Sequence, residues 1–345
     1  MPAINHFGLD IGTHSIKLVQ LTGSTQAASF VTAGQFQTPP HALLSESDED
    51  LQQLATAIKN LVKEAKVTTN RVVASLPESQ IFTRVVEMPQ LSKQEMQTAI
   101  DYEAEQYVPL PMTEVTLTWQ VLSSRVGADK KTTMEVLLVA APKNLINKYL
   151  KILKMADLNP VSVETETTAA VRALVQRVEG SPTTMLVSLG ASTTDLTVVT
   201  DNQISFTRSI ATGGVALARS VANDLGFELD QAVEYMKTYG LDSTQLEGKV
   251  TAAIKPVFDV IVNEIRRALA FYQSKHPDKP VKRVVLTGGT SKLPGVVIYL
   301  AEALGLEVQI GNPWDGIALP QQISKKLIDE GTTYGVAVGL ALKQV

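Results

Sequence analysis

The chain has 345 residues, 44% of them hydrophobic and 19% charged, with a formal net charge of -4. That is enough for two domains, or one large two-lobed domain with a sizeable core, and it excludes a disordered chain. The slight negative charge argues against a nucleic-acid binder, and the absence of cysteine removes disulfide frameworks, thiol nucleophiles and thiolate zinc sites.

The four histidines, His6, His14, His41 and His276, lack metal-ligand spacing. No basic region followed by an apolar run opens the chain, and no stretch of roughly 18 apolar residues occurs. We therefore expect neither a secretory signal nor direct membrane insertion, and a cytoplasmic protein.

The first pattern in chain order runs from Phe7 to Leu21. Leu9 and Ile11, then Ile16 and Leu18, alternate around Gly12-Thr13-His14-Ser15, the period of a half-buried hairpin. Such a turn aims several backbone N–H groups at one point, and the Thr13 and Ser15 hydroxyls and the Lys17 ammonium add donors. The same residues suit an ordinary turn, so alone the stretch reads as either a turn or a phosphate cradle. His14 reads as an exposed turn residue rather than a catalyst.

Residues 29–38 read as a strand broken by Pro39-Pro40, and 48–66 as a core-packing helix with acids in its first turn. Two short strands, 71–76 and 81–88, are each stopped by a proline. Ser92 with Glu95 forms a capping box for a helix to about Tyr107, ended by Pro109 and Pro111. Strands near 115–122 and 135–140, a polar loop over 123–133 between them, and a helix from Lys143 to about Asp157 complete a small inserted α+β unit. Tyr102, Tyr107 and Val108 either pack its core or form a docking surface. Residues 166–178 read as a helix, with a lobe boundary at Gly180-Ser181-Pro182.

Half a chain later the first pattern returns. Residues 185–199 give strand, Gly190-Ala191-Ser192-Thr193-Thr194 turn, strand, and residues 204–210 lead to Thr212-Gly213-Gly214. There a helix begins whose free N–H groups and dipole suit a phosphate. Helices follow at 229–239 and 250–274. A third motif, from Arg283 to Gly295, is a buried strand, a Gly288-Gly289 bend and a helix start, the glycines letting backbone lie flat on a planar ligand. Two glycine-turn hairpins, each opening half a chain, imply a duplicated unit around a cleft for a phosphorylated ligand.

In these three glycine motifs, taken in order, the chain resembles the actin-like ATPase superfamily. In residues 8–21, 89–111, 135–142, 186–214 and 283–313 it most resembles the PilM family of type IV pilus assembly, and Tyr334 to Leu342 resembles that family's closing helix. The resemblance implies an α/β, actin-like ATPase (ribonuclease H-like, duplicated) fold, with two lobes around a nucleotide cleft and an inserted small α+β subdomain. It sets the first-lobe core at residues 1–79 and 158–180, the inserted subdomain at 80–157, the second lobe at 181–330 with a helical insertion at about 215–280, and the closing helix at 331–345.

It also implies ATP and Mg²⁺ as ligands. Gly12, Thr13, His14, Ser15 and Lys17 then meet the phosphates from one lobe, and Gly190, Ala191, Ser192 and Thr194 from the other, with Gly213 and Gly214 at the helix start. Gly288, Gly289, Ser291 and Leu293 border the nucleoside, and Asp10 holds a hydrated magnesium ion. Glu234 and Lys237 match positions where the family contacts adenosine, or are an intrahelical ion pair.

Aligning the hairpins on their glycines puts Ser188 opposite Asp10, where the family usually has a second aspartate. A serine hydroxyl is neither a useful base near neutral pH nor a comparable magnesium anchor. We therefore expect nucleotide binding with very slow or absent hydrolysis, with Asp195, after the turn, either partly substituting for the missing carboxylate or orienting the loop.

The resemblance further implies a scaffold that binds the N-terminal cytoplasmic tail of a PilN-like inner-membrane protein near the inserted subdomain, and is thereby recruited to the inner face of the cytoplasmic membrane. Other inner-membrane pilus components, the assembly ATPase and self-association are further partners it suggests. Two alternatives stand beside it: an FtsA-like cell-division protein, although Leu342-Lys343-Gln344-Val345 is too short for the amphipathic helix by which FtsA attaches, and a small-molecule kinase, for which no substrate base can be named.

Overall fold

A computed structural model describes residues 4–126, 132–175 and 180–345. β1 (Phe7–Ile11), β2 (Ser15–Ser24) and β3 (Ala27–Gln37) form an antiparallel meander, with Asp10 opposite Lys17 in the first pair. α1 (Asp48–Glu64) begins at Ser47, whose side chain accepts from the Asp50 N–H, and buries Leu51, Leu54, Ala55, Ile58 and Leu61. β4 (Arg71–Leu76) then lies parallel to β1.

A short 3-10 turn over Glu78–Gln80 leads to β5 (Phe82–Pro89) and α2 (Lys93–Glu105), whose capping box carries both the Ser92 and the Glu95 bond. β6 (Val115–Val126) and β7 (Thr132–Pro142) complete a three-stranded sheet in the order β5-β7-β6. The expected loop over 123–133 is thus mostly strand, and residues 127–131 lie outside the described part. A bulge at Val121–Ser123 and the polar residues after it hide the ladder from a reading based on apolar alternation.

α3 (Lys143–Met155) was expected to close this inserted unit, and its apolar face goes elsewhere. Leu145, Tyr149, Ile152 and Leu153 lie in the first-lobe core with Phe7, Leu54 and Ile58. Only the remaining elements, around Val86, Ile100, Val136 and Leu138, share the inserted subdomain's own core. Val108 belongs to that core, Tyr102 is 70% exposed, and Arg84 lies over the Tyr107 ring at 3.8 Å.

β8 (Asn159–Thr165) pairs parallel with β4, and α4 (Glu166–Leu174) starts at the Thr165 cap. The expected helix over 166–178 ends at Leu174, and residues 176–179 lie outside the described part. The second lobe opens with β9 (Thr184–Leu189), β10 (Thr194–Thr200) and β11 (Gln203–Ile210), again an antiparallel meander. α5 (Gly214–Leu225), α6 (Leu229–Tyr239) and α7 (Lys249–Lys275) share one core with this sheet, through Leu217, Val221, Met236, Ile254, Phe258 and Ile265. β12 (Arg283–Thr287), α8 (Val296–Leu304) and β13 (Glu307–Ile310) finish it in the order β11-β10-β9-β12-β13.

Two later segments cross back to the first lobe. β14 (Ile317–Ala318) adds to the edge at β3, giving the sheet β14-β3-β2-β1-β4-β8, and after the short α9 (Lys325–Asp329), α10 (Gly335–Ala341) packs on β1 and α4. The small residues of α10 are required by closeness: a Cβ at Gly339 would stand 1.8 Å from the Ala169 carbonyl oxygen. Arg172 of α4 ties the crossing down, reaching both carboxylate oxygens of Glu164 (2.5 and 2.8 Å) and the Gly339 carbonyl (2.7 Å). Among the described residues no helix is long and apolar enough to cross a membrane.

Candidate functional site

The two glycine turns are built alike. Gly12 N–H donates to the Ser15 carbonyl at 3.2 Å, and Gly190 N–H to the Thr193 carbonyl at 2.9 Å. A Cβ at either glycine would crowd that same carbonyl, at 3.0 and 2.9 Å. The turns face each other at the mouth of a cavity of about 820 Å³, where Thr13 Oγ1 and Ser192 Oγ hydrogen-bond at 3.1 Å. Its size is that of a small-ligand site.

Of the residues expected at a site, Asp10, Gly12, Thr13, His14, Ser15 and Lys17 line this cavity from the first lobe. Gly190, Ala191, Ser192, Gly214, Lys237, Gly288, Gly289 and Leu293 line it from the second. Four others do not line it. Thr194 is fully buried and donates to the Thr212 carbonyl at 2.8 Å, and Ser291 Oγ closes the third bend by donating to the Gly288 carbonyl at 2.6 Å. Glu234 points to solvent, paired with Lys237 at 2.8 Å, the intrahelical reading of that pair.

Gly213 is the fourth. The helix start it precedes was expected to present free N–H groups, but Gly214 N–H donates to the Gly190 carbonyl (3.0 Å) and Val215 N–H to the Ala191 carbonyl (2.9 Å). These donors hold the second glycine turn in place. Thr290 Oγ1 also donates to the Gly190 carbonyl, at 3.0 Å, so the third motif grips the same turn. Gly288 has φ +88° and a Cβ there would lie 2.4 Å from the Leu189 carbonyl oxygen, which leaves only glycine.

The cavity floor is acidic. Asp10 is buried and accepts from Ser75 Oγ at 3.1 Å; burial raises its pKa, against the opposing pull of Lys17 and Ser75. Glu166, at the start of α4, is raised well above the carboxylate range by burial and then by the Asp10 and Asp195 charges. Burial likewise raises Asp195, which accepts from Thr193 Oγ1 at 3.3 Å. Asp195 stands opposite Ser188 in the β9–β10 ladder as Lys17 stands opposite Asp10 in β1–β2. The carboxylate missing at position 188 therefore reappears on the return strand, and both Ser188 and Asp195 line the cavity.

Sequence reasoning missed Glu166, because it looks like any acidic residue in a helix's first turn. A second, smaller cavity of about 460 Å³ lies where α3 meets the inserted subdomain, between Leu110, Glu114, Pro142, Asn144 and Leu145. Its Lys148 is spent, donating to the Leu43 and Ser45 carbonyls and to Glu46.

The profile of the family described as Type IV pilus assembly protein PilM matches residues 8–345. The chain belongs to the PilM family. The structure of a PilM–PilN type IV pilus biogenesis complex superposes with a TM-score of 0.85 at 27% identity, covering 99% of this chain and 98% of that one. The MreB 5 structure of Spiroplasma citri bound to AMPPNP has the same overall fold, with a TM-score of 0.53 at 12% identity, covering 97% and 94%. Among sequence relatives, the cell division protein FtsA of Streptococcus pneumoniae is 20% identical over 89% of this chain and 75% of its own length. The FtsA of Neisseria meningitidis is 24% identical over 51% of this chain, which spans only 47% of that protein. The fold is that of actin-like ATPases, and this PilM-family chain is a distant relative of FtsA.

The donor set suits a magnesium nucleotide. Three buried carboxyls with raised pKa values line one floor, and Lys17 acts on one of them, Asp10, so an incoming divalent ion relieves their repulsion. Among the described residues no three His, Asp or Glu converge as a metal cage.

Proposed function

We propose that this PilM-family protein is an ATP-binding scaffold of type IV pilus assembly, whose cleft takes ATP with Mg²⁺ and whose second groove takes the N-terminal cytoplasmic tail of a PilN-like membrane protein. The observation that carries this is the likeness to the PilM–PilN complex over essentially the whole of both chains. On this reading the protein is cytoplasmic and is held at the membrane by its partner.

In the cleft, the N–H groups and hydroxyls of Thr13, Ser15 and Ser192 and the Lys17 ammonium bind the phosphates, and Asp10 holds the hydrated ion. The bound ion supplies charge neutralisation at the phosphates. The bend at Gly288 and Gly289, with Leu293 and Lys237, borders the nucleoside. Hydrolysis is slow: Ser188 offers no second carboxylate and is no useful base near neutral pH. Phosphate release indistinguishable from that of Asp10→Asn is expected; turnover well above that control would overturn this part.

The groove offers apolar walls, Leu110, Pro142 and Leu145, between the exposed Glu114 and Lys143, which suits a tail that presents apolar residues. Asn144→Trp fills it from an exposed wall. Fluorescence titration with a PilN-tail peptide should show at least a tenfold loss, about 1.4 kcal/mol, with ATP binding unchanged. Unchanged peptide affinity would place the partner elsewhere.

A further inference from the structure

At the seam between the lobes a buried carboxyl of the first lobe lies within electrostatic reach of one of the second. Glu78 opens the short turn after β4 and is only 4% exposed. Its N–H donates to Glu166 Oε2 at 3.3 Å, while its own Oε2 has no hydrogen-bond partner. Thr83 Oγ1 is likewise buried and unpaired, near enough to act on Glu78 but outside hydrogen-bond geometry. Across the seam the turn touches β11, Thr207 Oγ1 donates to the Thr83 carbonyl at 3.4 Å, and the charge of Asp195 on β10 reaches Glu78.

The charges on the surrounding elements do not compensate. On β5, Arg84 lies over Tyr107 and Glu87 is exposed. On β11, Arg208 is paired with Glu264, and on α4, Arg172 is committed to Glu164. What faces Glu78 is Glu166 and Asp195, both acids. An unpaired buried carboxylate is costly enough that the group takes up a proton instead, and among the described residues no metal cage is present to do that work.

We propose that Glu78 is a proton-binding site of the lobe seam: it is a neutral acid below neutral pH, and its ionisation sets two carboxylates against each other and loosens the 78–80 turn from β11. Burial pushes the Glu78 carboxyl up to about 7, the hydroxyls of Thr167 and Thr83 pull it back, and Asp195 pushes it up again, so the proton exchanges near neutrality.

The test uses the protein without nucleotide, so its outcome is independent of the function proposed above. Carbon-13 NMR of glutamate-carboxyl-labelled protein should contain one resonance that titrates near neutrality and is missing in Glu78→Gln. Amide hydrogen exchange in residues 203–210, corrected for intrinsic rates, should be several-fold faster at pH 8 than at pH 6, and pH-independent in the variant. Asp195→Asn, which keeps the shape and removes the facing charge, should move the Glu78 midpoint down, and it serves if Glu78→Gln does not fold. A Glu78 carboxyl already ionised at pH 6, a midpoint unmoved in Asp195→Asn, or corrected exchange equal at the two pH values would overturn the proposal.

Discussion

Gly213 does not touch the cavity, yet its substitution should weaken nucleotide binding. A Cβ at this position would lie 2.8 Å from both the Gly190 and the Ala191 carbonyl oxygens, whereas ordinary contacts begin at 3.4 Å, so the turn must move by roughly 0.6 Å. Both atoms are backbone, and both already accept hydrogen bonds from Gly214 and Val215. Gly213→Ala should therefore cost about 1–3 kcal/mol of stability, a melting point lower by about 2–4 °C per kcal/mol. The displaced turn should forfeit one or two charge-assisted phosphate bonds, at about 1.5–3 kcal/mol each, or on the order of 10–100-fold in affinity at least. Gly226→Ala is the control: it forces a side chain into φ +67° at the far end of α5, with nothing within 4 Å. It should lower stability and leave affinity alone. Calorimetric ATP titration of the three proteins decides; a folded Gly213→Ala protein with wild-type affinity would refute the idea that α5 positions the second turn.

Asp10→Asn should bind ATP equally well with and without magnesium, since the one carboxylate assigned to the ion is gone; a persisting magnesium-dependent gain in the titration would move the ion to another residue. Arg172→Leu leaves Glu164, whose side chain is 7% exposed, with Lys343 alone, and should cost about 3 kcal/mol in urea unfolding; a loss under about 1 kcal/mol would mean the crossing of α10 does not depend on this pair. His6, buried against the Leu340 carbonyl at 3.2 Å, has its pKa lowered chiefly by burial. The unfolded chain then binds the proton first, so the stability contributed by neutral His6 is full above about pH 6.5 and is lost as pH falls toward the folded value, by at most about 1.4 kcal/mol per pH unit. Subtracting the curve of His6→Gln from that of the wild type should expose this slope, and parallel curves between pH 7.5 and 5.5 would contradict it.

The glycine turns were legible because tight turns demand particular residues at particular spacings, and the duplicated hairpin made the cleft legible with them. The capping box at Ser92 and Glu95 was readable for the same local reason. What escaped was whatever depends on the third dimension. α3 has an amphipathic face that a sequence shows, but nothing local says which core receives it. Gly213 signalled a helix start, and only the fold reveals that the first N–H groups are consumed by the second glycine turn. Glu166 and Glu78 have no spacing signature at all, since they join Asp10 and Asp195 only when β4, α4 and two hairpins converge. Ser188 and Asp195 stand out in the sequence as a loss and a possible substitute, and the ladder pairs them directly on neighbouring strands.

The most direct test of the cleft is a calorimetric titration of the purified protein with ATP and magnesium, paired with thermal unfolding. One saturable site is predicted, with about 2.7 kcal/mol of added stability at 100 times the dissociation constant, and its loss in Gly12→Asp, whose Cβ would press on the Ser15 carbonyl. No heat and no stabilisation at millimolar ATP, or equal binding by Gly12→Asp, would contradict a nucleotide site between the two glycine turns.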